Sequence, residues 1–125
     1  MGIKQYDVGK NWEEKVMEYY TRHGFNTFKL PTDIDGTVFD IIAIKGNKAT
    51  CIECKHTTSD KLYYESSGLK HKRDELDNFA ENGNTIIIYI CSDKSGTFII
   101  SWQMARLLFD EKGYIKKEDC IEVNL

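Results

Sequence analysis

The sequence predicts an α/β (α+β) fold: one mixed β-sheet flanked by helices, in the order αβββαββα. Three observations carry this. Residues 39–55, FDIIAIKGNKATCIECK, hold two short β-branched runs around Gly46-Asn47, a two-residue hairpin turn. Residues 85–92, TIIIYICS, are almost wholly apolar, as a strand covered on both faces is. The stretch before residue 24 repeats its apolar residues at helical spacing instead.

The first helix is expected over Val8 to His23, with Asp7 as N-cap, Gly24 as stop, and a buried stripe of Trp12, Val16, Tyr19, Tyr20 and His23. Phe25 to Leu30 follows as a strand ended by Pro31. Thr32 to Gly36 is a polar turn in which Asp33 and Asp35 suit turn formation better than metal binding. The hairpin strands are Val38–Lys45 and Lys48–Lys55. Leu62 to Gly68 has no clear period and reads as a loop or flap. A second helix, capped by Ser66 or Ser67, is expected over Gly68 to Glu81, with Leu69, Leu76, Phe79 and Ala80 inward. Thr85–Ser92, a turn at 93–96, and Thr97–Ser101 form a second hairpin. A short helix from Trp102 to Phe109 and a last strand, Cys120–Val123, close the chain.

At 125 residues the chain reads as a single domain, 1–125. It has no apolar run long enough for a membrane helix and no apolar signal region at its start, so a cytoplasmic location is expected, in a host cell if the protein is viral. The cysteines, 51, 54, 91 and 120, then belong to a reducing compartment. Cys51-Ile-Glu-Cys54 does not read as a zinc site. Residues three apart on a strand point to opposite faces, and no second ligand pair accompanies them. The net charge of −3 argues mildly against a general nucleic-acid binder, but its distribution is uneven. Residues 55–73 hold five Lys or Arg against two acids; residues 110–122 hold three Lys against five acids. A DNA-binding face is therefore expected beside the hairpin and away from the C-terminal stretch.

If Gly46 and Asn47 are the loop, opposed residues have numbers summing to 93, and Asp40 faces Glu53. Lys55 shares their face. Two opposed carboxylates are destabilising unless something positive lies between them. A hard divalent cation on carboxylate oxygens fits, and an ammonium beside it suits phosphodiester hydrolysis. The bland alternative is a charged surface face.

Asp40, twelve intervening residues and Glu53-Cys54-Lys55 resemble the PD-(D/E)xK nuclease superfamily, whose core is a restriction-endonuclease-like αβββαβ. Phe39 stands where the nominal motif has Pro. Gly9-x-x-x-Glu13 resembles the additional acidic element of Holliday-junction resolvases of the archaeal and RecU-type branches, and Leu69-Lys70-His71 resembles a basic helix of the latter. The protruding segment of RecU-type proteins is missing, and the short chain is nearer the compact archaeal kind. The resemblance spans residues 8–105.

It implies a metal-dependent endodeoxyribonuclease, a structure-selective junction resolvase acting as a homodimer on branched DNA. Asp40, Glu53 and the Cys54 backbone carbonyl would bind Mg²⁺ or Mn²⁺, with Glu13 reaching the ion directly or through water. Lys55 would orient the attacking water or stabilise charge at phosphorus. Lys10, Lys70, His71, Lys72 and Arg73 would contact DNA. Tyr63 and Tyr64 suit base stacking, or packing under the loop or at a dimer contact; His56 reads as structural. A restriction or repair endonuclease acting on duplex, and a non-catalytic DNA-binding module of the same fold, remain as alternatives.

Overall fold

A computed structural model describes residues 5–31 and 39–125, with side chains from Trp12 onward. Asp33 and Asp35, and the side chain of Lys10, lie outside the described residues. Helix α1 runs Gln5–Arg22 and starts before Asp7, which is therefore within the helix and does not cap it. Gly24 stops the helix with φ 86°, a conformation that favours glycine. The strands β1 (Asn26–Lys29), β2 (Ile41–Lys45) and β3 (Lys48–Thr57) follow. β4 (Lys61–Tyr63) lies where a loop was expected.

The second helix is split. A 3₁₀ turn, Leu69–Lys72, precedes α2, Arg73–Glu81, and the backbone at Lys72 (φ −101°, ψ 3°) is not helical. Ser67 Oγ accepts the Leu69 N–H at 3.3 Å. β5 (Thr85–Ser92), β6 (Gly96–Ser101), α3 (Trp102–Lys112), β7 (Tyr114–Lys116) and β8 (Ile121–Val123) complete the chain. β7 was not expected: three residues are too few to show a period. It pairs antiparallel with β4 to make a separate two-stranded ribbon.

The main sheet has the order β1-β2-β3-β5-β6-β8, and only β3 and β5 run parallel. Period-2 alternation sorts its side chains between two layers. On one face α1 lays Val16 and Tyr20 against Ile41, Ala43, Ile52 and Tyr89, and the Tyr89 hydroxyl donates to Tyr20 Oη at 3.1 Å. The α1 stripe is narrower than expected, since His23 is exposed. On the other face Leu69, Leu76, Trp102, Ala105 and Phe109 cover Ile86, Ile88, Ile90, Phe98 and Ile100. Trp102 is 1% exposed, and its indole N–H donates to Asp77 Oδ1 at 2.8 Å, tying α3 to α2. Ser101 caps α3 through Met104 N–H.

The hairpin register is the expected one from Lys45↔Lys48 to Ile41↔Ile52. Beyond it the pattern changes. Ile41 and Ala43 face α1, but Phe39, which alternation would put with them, packs among the α2-side residues with its ring 5.0 Å from Phe79. The Asp40 N–H donates to the Ile52 carbonyl, a pairing one residue out of step. The chain is thus bulged at Asp40, and Asp40 does not continue the ladder opposite Glu53.

Cys51 lies in the α2-side core and Cys54 against the α1-side core, the opposite faces expected. Burial raises all four thiols; Cys91 and Cys120 are each pushed up to about 12. Native protein at neutral pH should therefore react with iodoacetamide far more slowly than protein in denaturant. Equal rates at Cys51 or Cys54 would contradict this placement. Ile52, fully buried under α1, should cost about 2–5 kcal/mol when cut to Ala, read as a lower denaturation midpoint with unchanged slope.

Candidate active site

The acidic residues meet where β2 leaves the ladder. Three hydrogen bonds fix Asp40 there. Its N–H donates to Ile52 O at 3.0 Å, its carbonyl accepts from Leu30 N–H at 2.8 Å, and its Oδ2 accepts from Cys54 N–H at 2.7 Å. The bulge frees the Cys54 N–H from any strand partner on that side, and the carboxylate takes it instead.

Glu53 is on β3, side chain toward α2, and is 1% exposed. Its Oε1 lies 3.2 Å from Lys55 Nζ and 3.1 Å from Lys72 Nζ. Its Oε2 is buried without a hydrogen-bond partner, alone in this respect among the described residues. Burial raises the pKa of Glu53, the Asp40 charge raises it further, and the two ammoniums oppose both. An orphaned buried carboxylate oxygen is costly and calls for a partner.

Glu13 approaches from α1, on the other side of the sheet. Burial and the Asp40 charge raise its pKa as well, and Lys29 of β1, 3.2 Å away, opposes them. Asp40 is thus the shared neighbour of Glu13 and Glu53. Among the described residues no three His, Cys, Asp or Glu side chains stand close enough together to hold a metal. Ammonium groups lie beside Glu13 and Glu53. The donor chemistry nevertheless suits a hard cation: carboxylate oxygens, one of them orphaned.

The expected basic run separates into different surroundings. Lys70 and His71 are exposed, and Lys70 pairs with Glu65 at 2.9 Å. Lys72 turns inward to Glu53. Arg73 grips Asp110 of α3 with both terminal nitrogens, at 2.6 and 2.9 Å, and donates to Tyr64 Oη. Tyr64 stacks on Phe109 with ring centroids 4.6 Å apart, while Tyr63 stays exposed. His56 meets Asp93 at 2.8 Å, on the α1 side of β3.

Sequence reasoning missed Lys29 in this cluster, and it placed Lys72 among the DNA contacts without its turn toward Glu53. Lys29 was legible in principle, since period 2 puts it on the face of Thr27, whose hydroxyl lies 3.4 Å from that of Thr21 on α1. The inward turn of Lys72 had no signal, because it depends on the backbone break between the 3₁₀ turn and α2.

Comparison with known proteins agrees with this architecture. A model of the archaeal Holliday junction resolvase (Hjc) family matches residues 4–99. The crossover junction endodeoxyribonuclease Hje of Saccharolobus solfataricus is 32% identical over 83 residues, covering 65% of this chain and 62% of the relative. Its namesake in Sulfolobus acidocaldarius is 30% identical over 83 residues, covering 65% and 60%. The chain thus spans about three fifths of the length of these relatives. Archaeoglobus fulgidus Hjc, a Holliday junction resolvase, superposes with TM-score 0.68 at 18% identity, covering 90% of this chain and 93% of that one, a likeness of fold. The sheet order, the acidic cluster at the bulge and the span of the family match lead to one assignment: the chain belongs to the archaeal Holliday junction resolvase (Hjc) family.

Proposed function

We propose that this protein is a divalent-metal-dependent endodeoxyribonuclease that resolves four-way DNA junctions as a homodimer. The observation that carries the reading is Glu53, a buried carboxylate beside Asp40 with one oxygen between two ammoniums and the other unpartnered. Family membership supports the substrate. A junction needs two symmetric nicks, and a C₂ dimer supplies two equivalent sites.

Asp40 and Glu53 would hold Mg²⁺ or Mn²⁺. The Cys54 carbonyl would join them, because in an extended strand it leaves on the same side as the N–H bound to Asp40. Glu13 would reach the ion directly or through a water. When bound, such an ion polarises a phosphate and lowers the pKa of a water. The remaining work belongs to the chain. Lys55 orients the water or stabilises charge at phosphorus. Lys72 shares the Glu53 oxygen with Lys55 and holds a second positive charge at the place a scissile phosphate must enter. Lys70 and His71, exposed beside it, meet flanking phosphates. Arg73, whose fork is taken by Asp110, braces the 3₁₀ turn against α3. Cys54 contributes backbone only; its thiol packs. Among the described residues no helix is long and apolar enough to cross a membrane, which accords with a cytoplasmic site of action.

The decisive experiment incubates the protein with four-way junction, linear duplex and single strand, each with Mg²⁺ and with EDTA. Paired nicks on the junction alone, only with metal, are expected. Equal cutting of linear duplex would favour a restriction or repair role, and binding without cutting would favour a non-catalytic module. Lys55→Ala should slow cleavage roughly 100- to 1000-fold. Asp40→Asn and Glu53→Gln should abolish it while keeping or tightening DNA binding, since each removes a negative charge facing phosphate.

A metal readout independent of catalysis accompanies this. Mg²⁺ at about a hundred times its dissociation constant should stabilise the wild type by about 2.7 kcal/mol, seen as a higher melting temperature. Glu53→Gln should lose that shift, and a variant that keeps it would remove Glu53 from the ligand set.

A further inference from the structure

The β4–β7 ribbon carries a basic surface that the sequence hid. Its register pairs Lys61 with Lys116, Leu62 with Ile115 and Tyr63 with Tyr114. Leu62 and Ile115 are buried in the α2-side core, at 4% and 0% exposure. Alternation then puts Lys61, Tyr63, Tyr114 and Lys116 together on the outer face. Lys112, from the last turn of α3, joins them. Three ammoniums surround the Tyr114 ring: Lys61 at 4.8 Å, Lys112 at 5.2 Å and Lys116 at 5.8 Å from its centroid. The exposed Tyr63 ring lies 5.8 Å from that of Tyr114.

Like charges directly opposed across an antiparallel pair are destabilising. Lys61 and Lys116 are such a pair, and neither is in an ion pair among the described residues. The Tyr114 ring offsets part of their repulsion through its quadrupole, but an anion between them would relieve it directly. The acidic C-terminal stretch quenches the patch only in part: Asp119 takes Lys112, while Asp110 is bound by Arg73 and Glu122 by Lys117.

The patch faces the proposed active site across one cleft. A shallow cleft lined by Tyr63, Tyr64, Glu65, Ser66, Lys70 and Gly113, in which Lys70 pairs with Glu65, lies between the ribbon and the 3₁₀ turn whose last residue, Lys72, touches Glu53. β7 lies beyond residues 4–99, so half of this surface is outside the stretch that the family model matches.

We propose that the outer face of the β4–β7 ribbon, through Lys61 and Lys116, is a second phosphate-binding site that grips the DNA backbone away from the cleavage point. The proposal rests on the DNA-cleaving reading and names where an arm of that substrate lies. Contact is with phosphate and independent of sequence, so it contributes affinity and orientation without choosing a base.

Salt dependence tests it. DNA binding is measured by fluorescence anisotropy in EDTA, where no cutting occurs, across a range of salt. Wild type is compared with a Lys61→Ala/Lys116→Ala double variant. Each lysine–phosphate pairing removed makes the slope of log K against log salt shallower by about one, so the double variant should be shallower by about two. Its melting temperature should equal or exceed that of wild type, because a repulsive pair has gone. An unchanged slope and affinity would overturn the proposal and leave the nuclease reading intact, with an acidic protein then the better partner for the patch. A wild type that binds no DNA would overturn both. Should the double variant melt lower than wild type, the single variants decide, each expected to reduce the slope by about one.

Discussion

Asp40 interrupts the pairing of β2 with β3, and the site's arrangement follows from that interruption. A continued ladder would set its carboxylate against that of Glu53 and satisfy the Cys54 N–H with strand backbone. The bulge lets the Asp40 side chain accept that N–H, which fixes the carboxylate at the strand end with its charge felt from both sides of the sheet. Glu53 comes from the α2 side and Glu13 from the α1 side, so no single helix or strand could present all three. The sheet edge left open by β2 is the place where two layers communicate.

The lysines balance much of the charge of this cluster. A buried carboxylate is expensive, and removing one partner of a buried pair costs more than making it gains. Here Lys29, Lys55 and Lys72 sit at 3.1–3.2 Å from Glu13 and Glu53 while keeping part of their own surface in water. Charge is therefore nearly balanced, yet one Glu53 oxygen stays unmet. That residual demand distinguishes the site from an ordinary ion-pair network such as Arg73–Asp110, where both carboxylate oxygens are bound.

Much of this was legible in the residues. Gly46-Asn47 fixed the hairpin register, TIIIYICS marked the central strand, and the D…ExK spacing placed two acids and a lysine near one another. What escaped was non-local. The bulge at Asp40 depends on Leu30 and Ile52 holding its backbone, contacts that no period reports. β7 acquires its strand character from β4, more than fifty residues earlier, so neither three-residue piece signals on its own. A charge count likewise does not report that the acids at 110, 119 and 122 are each held by a particular partner in space. The break at Lys72 turned one member of an apparently uniform basic run away from solvent.

The order of strands bears on which backbone the sheet offers to another chain. The longest strands of the main sheet, β3 with ten residues and the strongly apolar β5 with eight, are neighbours at its centre. The two edges are its shortest strands, β1 with four residues and β8 with three. A sheet edge is a template for another chain's backbone, and its reach scales with the length of unpaired N–H and C=O it offers. The segment best suited to form an intermolecular cross-β stack, TIIIYICS, is thereby held between two neighbouring strands, and the two edge strands offer little backbone to seed one.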